Sequence, residues 1–222
     1  AVHHNSGKTY AILMACVAFA LGGDHPAVRC WLTDNGLPTD LVPDGPGAVI
    51  MVAQTGATSI ALHRKPIMAL LPTVGVQTWN TNTPAEARIE ITVPGYSRPG
   101  VIWFKSCDAG HRKFKGSEAR FAAITEEPEG DEGRLILDEL MRGASSVGGR
   151  VVLDMTPQNG MTWVYDELHQ ARRYDCQVVE LDTTHNTLVP DYDGVQRWLS
   201  SLTDDQRQVR QYGQFVDRKG VI

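Results

Sequence analysis

The sequence predicts a three-layer α/β fold, with helices on both faces of a mainly parallel central sheet. Two observations lead to this prediction: most β-rich segments are apolar throughout, and from about residue 48 onward they alternate with helical segments. A strand covered on both faces has no side that needs polar residues, so it loses the alternation typical of a strand with one face in water. A chain of 222 residues is long enough to bury the core of such a domain.

Five short segments are predicted as strands because they are rich in β-branched and other apolar residues. They are AVIMVA at 48–53, VIWFK at 101–105, FAAIT at 121–125, RVVLD at 150–154 and QVVEL at 177–181. The interval 77–100 is predicted as an antiparallel hairpin or edge element, because residues 87–93 alternate between apolar and polar and turn residues flank them.

Helices are predicted in the intervals between these strands, and Gly or Pro follows three of them. The predicted helices are 10–21 before Gly22, 59–71 before Pro72, 132–142 before Gly143, and 163–174. The Gly- and Pro-rich stretch 22–46 is predicted as a surface excursion. Near the end, Thr203 followed by Gln206 is typical of a helix N-terminus, so a polar helix is expected to run to Tyr212.

Composition excludes several classes of protein. The 26 acidic and 21 basic residues give a net charge of −5, which argues against a protein that holds nucleic acid by bulk charge. The longest apolar run, 11–21, is shorter than the roughly 20 residues that cross a bilayer. The four cysteines form no CxxC pair, so neither a zinc site nor a disulfide scaffold is predicted.

The sharpest chemical motif is Gly7-Lys8-Thr9 at the start of an apolar helix. Phosphate binding needs a glycine that allows close approach, a lysine for the β and γ oxygens and a hydroxyl for Mg²⁺, and these three residues supply them in order. The full pattern GxxxxGK[ST] also has a glycine at the position of Val2. The predicted nucleotide-binding residues are Asn5, Ser6, Gly7, Lys8, Thr9 and Tyr10.

A pair of acidic residues follows the predicted strand 121–125. In P-loop ATPases an acid at such a strand end holds Mg²⁺, and a neighbouring carboxylate positions the attacking water. Glu126 is therefore predicted as the magnesium ligand, together with Thr9, and Glu127 as the catalytic carboxylate, together with Lys8.

The strand 150–154 runs directly into Thr156 and Pro157. A hydroxyl at the end of a strand beside the acid pair would lie near the γ-phosphate, where it could sense whether that phosphate is present. Thr156 is accordingly predicted to couple the nucleotide state to movement.

These motifs together resemble the ATPase domain of the large terminase subunit of tailed double-stranded DNA bacteriophages. The resemblance rests on HNSGKT as a variant Walker A motif, AVIMVAQTGATS after the first helix, ITEEP as Walker B with its glutamate, and DMTPQNGMTWVYDE as the coupling motif. It extends through FKSCDAGHRKFKGSEARF before the Walker B strand and to RQVRQYGQFVDRKGVI at the end, so it covers nearly the whole chain.

The resemblance implies a P-loop NTPase fold of the ASCE or RecA-like type that hydrolyses ATP with Mg²⁺. It further implies a homo-oligomeric ring on the portal protein of a procapsid, translocation of double-stranded viral DNA, and a small terminase subunit as partner. The expected location is the cytoplasm of the infected bacterial host. Residues 1–200 are predicted as the motor domain, without the strand that precedes a P-loop, and 201–222 as a polar helix and tail leading toward a nuclease domain outside this chain.

Basic residues are the candidates for two further roles, a finger that enters the neighbouring subunit's site and contacts with DNA. A ring motor needs a positive group that enters the neighbouring subunit's site, because charge develops on the transferred phosphate. Arg112, Lys115 and Arg120 are predicted for this finger role, with Arg142 a weaker candidate. Lys113, Arg172 and Arg173 are predicted DNA contacts, since a motor that moves along any sequence touches phosphates.

Two other functions share these motifs. A helicase-like ATPase also carries GKT and paired acids, but helicases normally have a second RecA-like domain, for which the chain after about residue 180 has no room. A nucleotide-gated assembly module would bind without turnover, and Glu126 at the usual position of an aspartate is compatible with it.

Overall fold

The computed structural model describes residues 7–71, 77–81, 87–187 and 189–217. The chain divides into two compact units. The first unit is formed by residues 10–153, and the second groups the chain up to Thr9 with the chain from Asp154 onward. The division predicted from sequence, at residue 200, stays a prediction.

One six-stranded sheet organises the first unit, with the strand order β2-β3-β4-β1-β5-β6. β1 pairs in parallel with β4 and β5, whereas β3 pairs antiparallel with β2 and β4. The mainly parallel sheet and the antiparallel edge predicted for 77–100 are both confirmed. The strands are β1 (Ala48–Ala53), β2 (Gln77–Thr81), β3 (Arg88–Thr92), β4 (Gly100–Ser106), β5 (Phe121–Thr125) and β6 (Arg150–Asp154).

The helices around this sheet are somewhat longer than predicted. The segment predicted at 59–71 begins earlier, and a π-helical stretch, Ile60–Arg64, lies in its middle. The helices are α1 (Lys8–Leu21), α2 (Pro26–Asp34), α3 (Gly56–Ser59), α4 (Lys65–Leu70) and α5 (Gly130–Ser145).

Helix α1 forms the centre of the core because it is apolar on almost every side. Every residue from Cys16 to Leu21 is buried, which is expected of a helix without a polar face. The ring of Phe19 stacks on Phe121 of β5, with ring centroids 4.9 Å apart. The same cluster includes Val49 and Met51 of the central strand β1. These contacts hold the helix that follows the GKT motif against the sheet.

Gly22 ends α1 for a reason that the structure makes explicit. Its φ is +97°, a conformation that side chains rarely adopt. A Cβ at this position would lie 2.5 Å from the backbone of Gly45. The chain can therefore leave α1 and pass close to the 45–47 turn only because residue 22 has no side chain.

The stretch 22–46 was predicted as a surface excursion, and this is wrong in part because it contains α2. Pro26 stands in the first turn of this helix, where its missing N–H is not needed, so it starts the helix instead of breaking it. The N-cap is His25, whose Nδ1 accepts a hydrogen bond from the backbone N–H of Ala27. Val28 and Leu32 bury one face of the helix.

The second unit is built from short helices. They are a π-helix (Tyr165–Gln170), a 3₁₀ turn at Thr183–His185, α6 (Tyr192–Ser200) and α7 (Asp204–Arg210), and the segment Arg173–Asp175 is a turn whose Tyr174 has a left-handed φ of +65°. The predicted helix start at Thr203 is confirmed: Gln206 N–H donates to Thr203 Oγ1 at 3.3 Å, and Thr203 N–H donates to Gln206 Oε1 at 3.1 Å.

Two predictions in this unit are wrong. The helix predicted at 163–174 stops at Gln170, because Arg172, Tyr174 and Asp175 have positive φ angles that no right-handed helix contains. Residues 177–181 form no strand, and Val179 is 74% exposed. Strand propensity describes how well a side chain fits a sheet, so an apolar run becomes a strand only where a neighbouring strand accepts it.

Candidate active site

The GKT motif lies at the start of α1, where its lysine contacts an aspartate. Lys8 Nζ lies 3.2 Å from Asp154 Oδ1 and donates to the carbonyl oxygen of Met155 at 2.7 Å. Thr9 Oγ1 donates to Asp154 Oδ2 at 3.5 Å. The Asp154 side chain is 6% exposed and that of Lys8 23%, so this ion pair is largely withdrawn from water. We call Lys8, Thr9 and Asp154 the lysine cluster.

Gly7 lies directly before the lysine cluster in the chain. Its φ of +79° is left-handed, which favours glycine. A Cβ built there would meet the side-chain amide nitrogen of Asn186 at 3.5 Å. Tyr10, one turn further, is 61% exposed and does not take part in these contacts, and the predicted residues Asn5 and Ser6 lie outside the described residues.

Asp154 is a residue that the sequence analysis missed. It ends the apolar strand RVVLD, and an apolar strand ending in an acid is the same pattern that singled out Glu126 and Glu127.

The acid pair follows β5 in the first unit. Glu126 adopts a left-handed conformation with φ of +69°, and Glu127 is buried at 6% exposure. The side-chain amide of Gln54, just after β1, donates to the carbonyl oxygen of Glu127. This contact holds the backbone of the acid pair against the end of β1, because a parallel neighbour ends at the same edge of the sheet.

A buried histidine supports the same strand end. His63 Nε2 lies 2.7 Å from Thr125 Oγ1, and Thr125 Oγ1 donates to Val52 O at 3.2 Å. Since the hydroxyl has a single proton and uses it toward Val52, His63 Nε2 must be the donor in the first bond. Both side chains are buried, so the last residue before Glu126 is held from two sides.

Removing the Thr125 hydroxyl should therefore destabilise the protein. Thr125→Val keeps the side-chain shape but takes away the acceptor of a buried imidazole N–H, which costs about 1–3 kcal/mol. We expect the free energy of unfolding in urea to fall by that amount. Thr125→Ser keeps the hydroxyl and serves as the control, and equal losses in both variants would contradict the role assigned to this hydrogen bond.

Thr156 lies two residues beyond Asp154 and is half-buried. Its carbonyl oxygen accepts a hydrogen bond from Gln158 N–H at 2.7 Å, which forms a tight turn before Gly160.

The predicted finger residues differ in their surroundings. Arg112 and Lys115 are exposed. Arg120 instead donates through Nη1 to the carbonyl oxygens of Asp44 and Gly45, at 2.9 and 2.7 Å. Arg142 forms an exposed ion pair with Glu139 on the same helix.

The predicted DNA contacts are also found at or near the surface. Lys113 and Arg172 are exposed, and Arg172 adopts a left-handed conformation with φ of +51°. Arg173 is half-buried, pairs with Glu167 and stacks over the ring of Tyr174 at 4.5 Å. Lys113 belongs to the first unit, and the two arginines belong to the second.

Comparison with known proteins identifies the fold. The sequence matches no protein-family profile and no curated protein. Among solved structures, the large terminase of a thermophilic bacteriophage in complex with ADP matches with a TM-score of 0.61 and 14% identity, over 77% of this chain and 40% of that one. The large terminase ATPase domain of Thermus phage P74-26 matches with a TM-score of 0.56 and 12% identity, over 96% of this chain and 86% of that one.

The chain has the fold of a large terminase ATPase domain. The predicted P-loop NTPase fold class is thereby confirmed. The chain spans about two fifths of the length of the ADP-bound terminase. Within the described ranges, no helix combines the length and apolarity needed to span a membrane.

Proposed function

We propose that this terminase-like chain is the ATP-hydrolysing motor domain of a machine that packages double-stranded DNA. The observation that carries the proposal is the lysine cluster. In it, a GKT motif lies at a helix start, and its lysine and threonine both contact the buried carboxylate of Asp154. The fold adds support, because solved large terminases share it and one of them is in complex with ADP.

In this proposal, Gly7 and Lys8 bind the phosphates. Gly7 has no side chain to obstruct a phosphate, and the first backbone N–H groups of α1 have no partner within the helix. The Lys8 ammonium would exchange its contact with Asp154 for phosphate oxygens, which carry more negative charge than a single carboxylate. Until nucleotide arrives, the contact with Asp154 holds the Lys8 side chain in place.

Magnesium fits the oxygen donors at the same place. When bound, it neutralises charge on the β and γ phosphates. The Thr9 hydroxyl and the Asp154 carboxylate, which lie together, would hold it. Glu126, predicted from the sequence as a magnesium ligand, stays a prediction. No group of three or more His, Cys, Asp or Glu gathers in the part of the chain that the structure describes. Mg²⁺ needs none, because it usually takes one or two protein carboxylates and completes its shell with phosphates and water.

Glu127 is the proposed catalytic carboxylate, which orients the attacking water and takes up its proton. Its support is structural: the side chain is buried, and Gln54 holds its backbone. A carboxylate fixed in this way loses little entropy when the reaction begins. Thr156 is proposed to couple the state of the nucleotide to movement.

The remaining assignments concern the assembled motor. We propose a homo-oligomeric ring on the portal protein, with the small terminase subunit as partner and DNA held through Lys113, Arg172 and Arg173. Among the finger candidates, Arg112 and Lys115 are favoured over Arg120. The Arg120 guanidinium already donates to two backbone carbonyls, and losing them would leave the 44–47 turn unsupported.

Phosphate release from ATP, with and without portal-bearing procapsids, tests the proposal. We expect basal turnover by the purified chain and stimulation by procapsids with double-stranded DNA. Stimulation by single-stranded nucleic acid alone would favour a helicase-like ATPase. Nucleotide binding without turnover, even with procapsids, would favour an assembly module and would overturn the proposed motor.

A further inference from the structure

A cavity in the second unit opens next to the proposed phosphate-binding glycine. It has a volume of about 450 Å³ and is lined by two segments, 180–186 and 212–214. Asn186, one of its lining residues, is the side chain that lies against Gly7. The cavity volume lies within the range of small-molecule sites in proteins, about 300–1,000 Å³.

The walls of this cavity suit a flat, neutral group that forms hydrogen bonds. Tyr212 and Leu181 contribute an aromatic ring and an apolar side chain, 38% and 42% exposed. Asn186 and Gln214 carry amides, each with a donor and an acceptor, which is the arrangement that matches the edge of a purine base.

The charges of the cavity indicate which end of a nucleotide it would take. Glu180 and Asp182 line it together with His185. Burial acts to raise the pKa of Asp182, but hydrogen bonds from Thr184 and Gln211 outweigh burial and the pKa is lowered. Asp182 is therefore negative at neutral pH, so the wall that carries it disfavours a phosphate and suits an uncharged base.

The two walls are fastened together, so the cavity exists without ligand. Thr183 N–H donates to Gln211 O at 2.9 Å, and Thr183 Oγ1 donates to Arg210 O at 3.1 Å. On the other side, Tyr192 Oη donates to Thr184 O at 3.0 Å. These bonds tie the 182–186 turn to the end of α7 and to α6, and a cavity with such fixed walls loses little entropy on binding.

We infer that this cavity binds the base of the nucleotide whose phosphates lie at Gly7 and Lys8, with Tyr212 stacking on a purine ring and Asn186 and Gln214 pairing with its edge. The inference rests on the proposed function, since it places the base relative to phosphates bound by the GKT motif. It makes the second unit the part of the chain that selects the nucleoside.

Calorimetric titration with ATP and with inorganic tripolyphosphate, both with Mg²⁺, tests this inference. Stacking of a base on an aromatic ring is worth about 1–3 kcal/mol, so Tyr212→Ala should raise the Kd for ATP by about 5- to 150-fold. The Kd for tripolyphosphate should stay the same, because it has no base. Tyr212→Phe keeps the ring and should bind ATP like the wild type.

Tyr96→Ala is the matched control, because Tyr96 is a comparably exposed tyrosine in the other unit. Equal ATP affinity in wild type, Tyr212→Ala and Gln214→Ala would overturn the base site while leaving the proposed function intact, provided that Lys8→Met weakens ATP binding. Equal loss of ATP and tripolyphosphate affinity in Tyr212→Ala would also overturn it. No ATP binding by the wild type would overturn both proposals.

Discussion

Glu127→Gln is expected to reduce the kcat for ATP hydrolysis about a thousandfold, while the Kd for ATP changes little. Gln has the size of Glu but cannot take up a proton, and a positioned general base contributes roughly 10²–10⁴-fold to a rate. The contact from Gln54 goes to the backbone of residue 127, so the substitution leaves it in place. Single-turnover phosphate release and nucleotide titration measure the two quantities.

Glu129→Gln is the control for this experiment. Glu129 lies two residues further along the same loop but is exposed, so its neutralisation changes the local charge without removing the buried carboxylate. Turnover by Glu127→Gln at the rate of Glu129→Gln would show that residue 127 is not the catalytic carboxylate. A parallel loss of ATP affinity would assign it to binding instead.

Lys8→Met should have two separable effects, loss of nucleotide binding and loss of stability. Charge-assisted hydrogen bonds are worth about 1.5–3 kcal/mol each, so ATP affinity should fall by roughly one to two orders of magnitude. The Asp154 carboxylate, with only 6% of its side chain exposed, would lose its ammonium partner. Breaking a fully buried pair costs about 3–5 kcal/mol, and since Lys8 is partly exposed we expect about 2 kcal/mol.

A second substitution separates these effects. Lys8→Met combined with Asp154→Asn also removes the carboxylate that has lost its ammonium partner. Stability in urea should therefore recover while ATP affinity stays low. Lys65→Met, at an exposed lysine of α4, should change neither quantity. Recovery of ATP binding in the double variant would contradict the direct role of Lys8 in holding phosphate. Failure of stability to recover would contradict the ion pair as its cause.

Patterns within a few residues predicted much of the fold. Strands β1, β4, β5 and β6 lie where the apolar runs are. β1 and β5 are buried along nearly their whole length, as expected of strands covered on both faces, whereas β4 alternates between buried and half-buried residues and β6 is mostly half-buried. The capping box at Thr203 and Gln206 was predictable for a similar reason, since both of its hydrogen bonds join residues three positions apart.

The errors arose where a local pattern has more than one outcome. Pro26 looks like a loop residue but is also a favoured first residue of a helix. The run 177–181 has strand composition but forms no strand, since the sheet pairing that a strand needs depends on other parts of the chain. The predicted helix ends at Gln170, before residues in the left-handed conformation. None of these residues is a glycine, so no signal in the sequence marks the helix end.

The sequence by itself determined the α/β class, the GKT motif at the start of α1 and the paired acids after β5, because each of these is a property of neighbouring residues. Only the tertiary structure decided which carboxylate meets Lys8 and Thr9, since Asp154 lies 146 and 145 positions away along the chain. It likewise decided that His63 supports Thr125 and that Asn186 lies on Gly7. Contacts between residues so far apart depend on how the chain packs, and no spacing in the sequence records them.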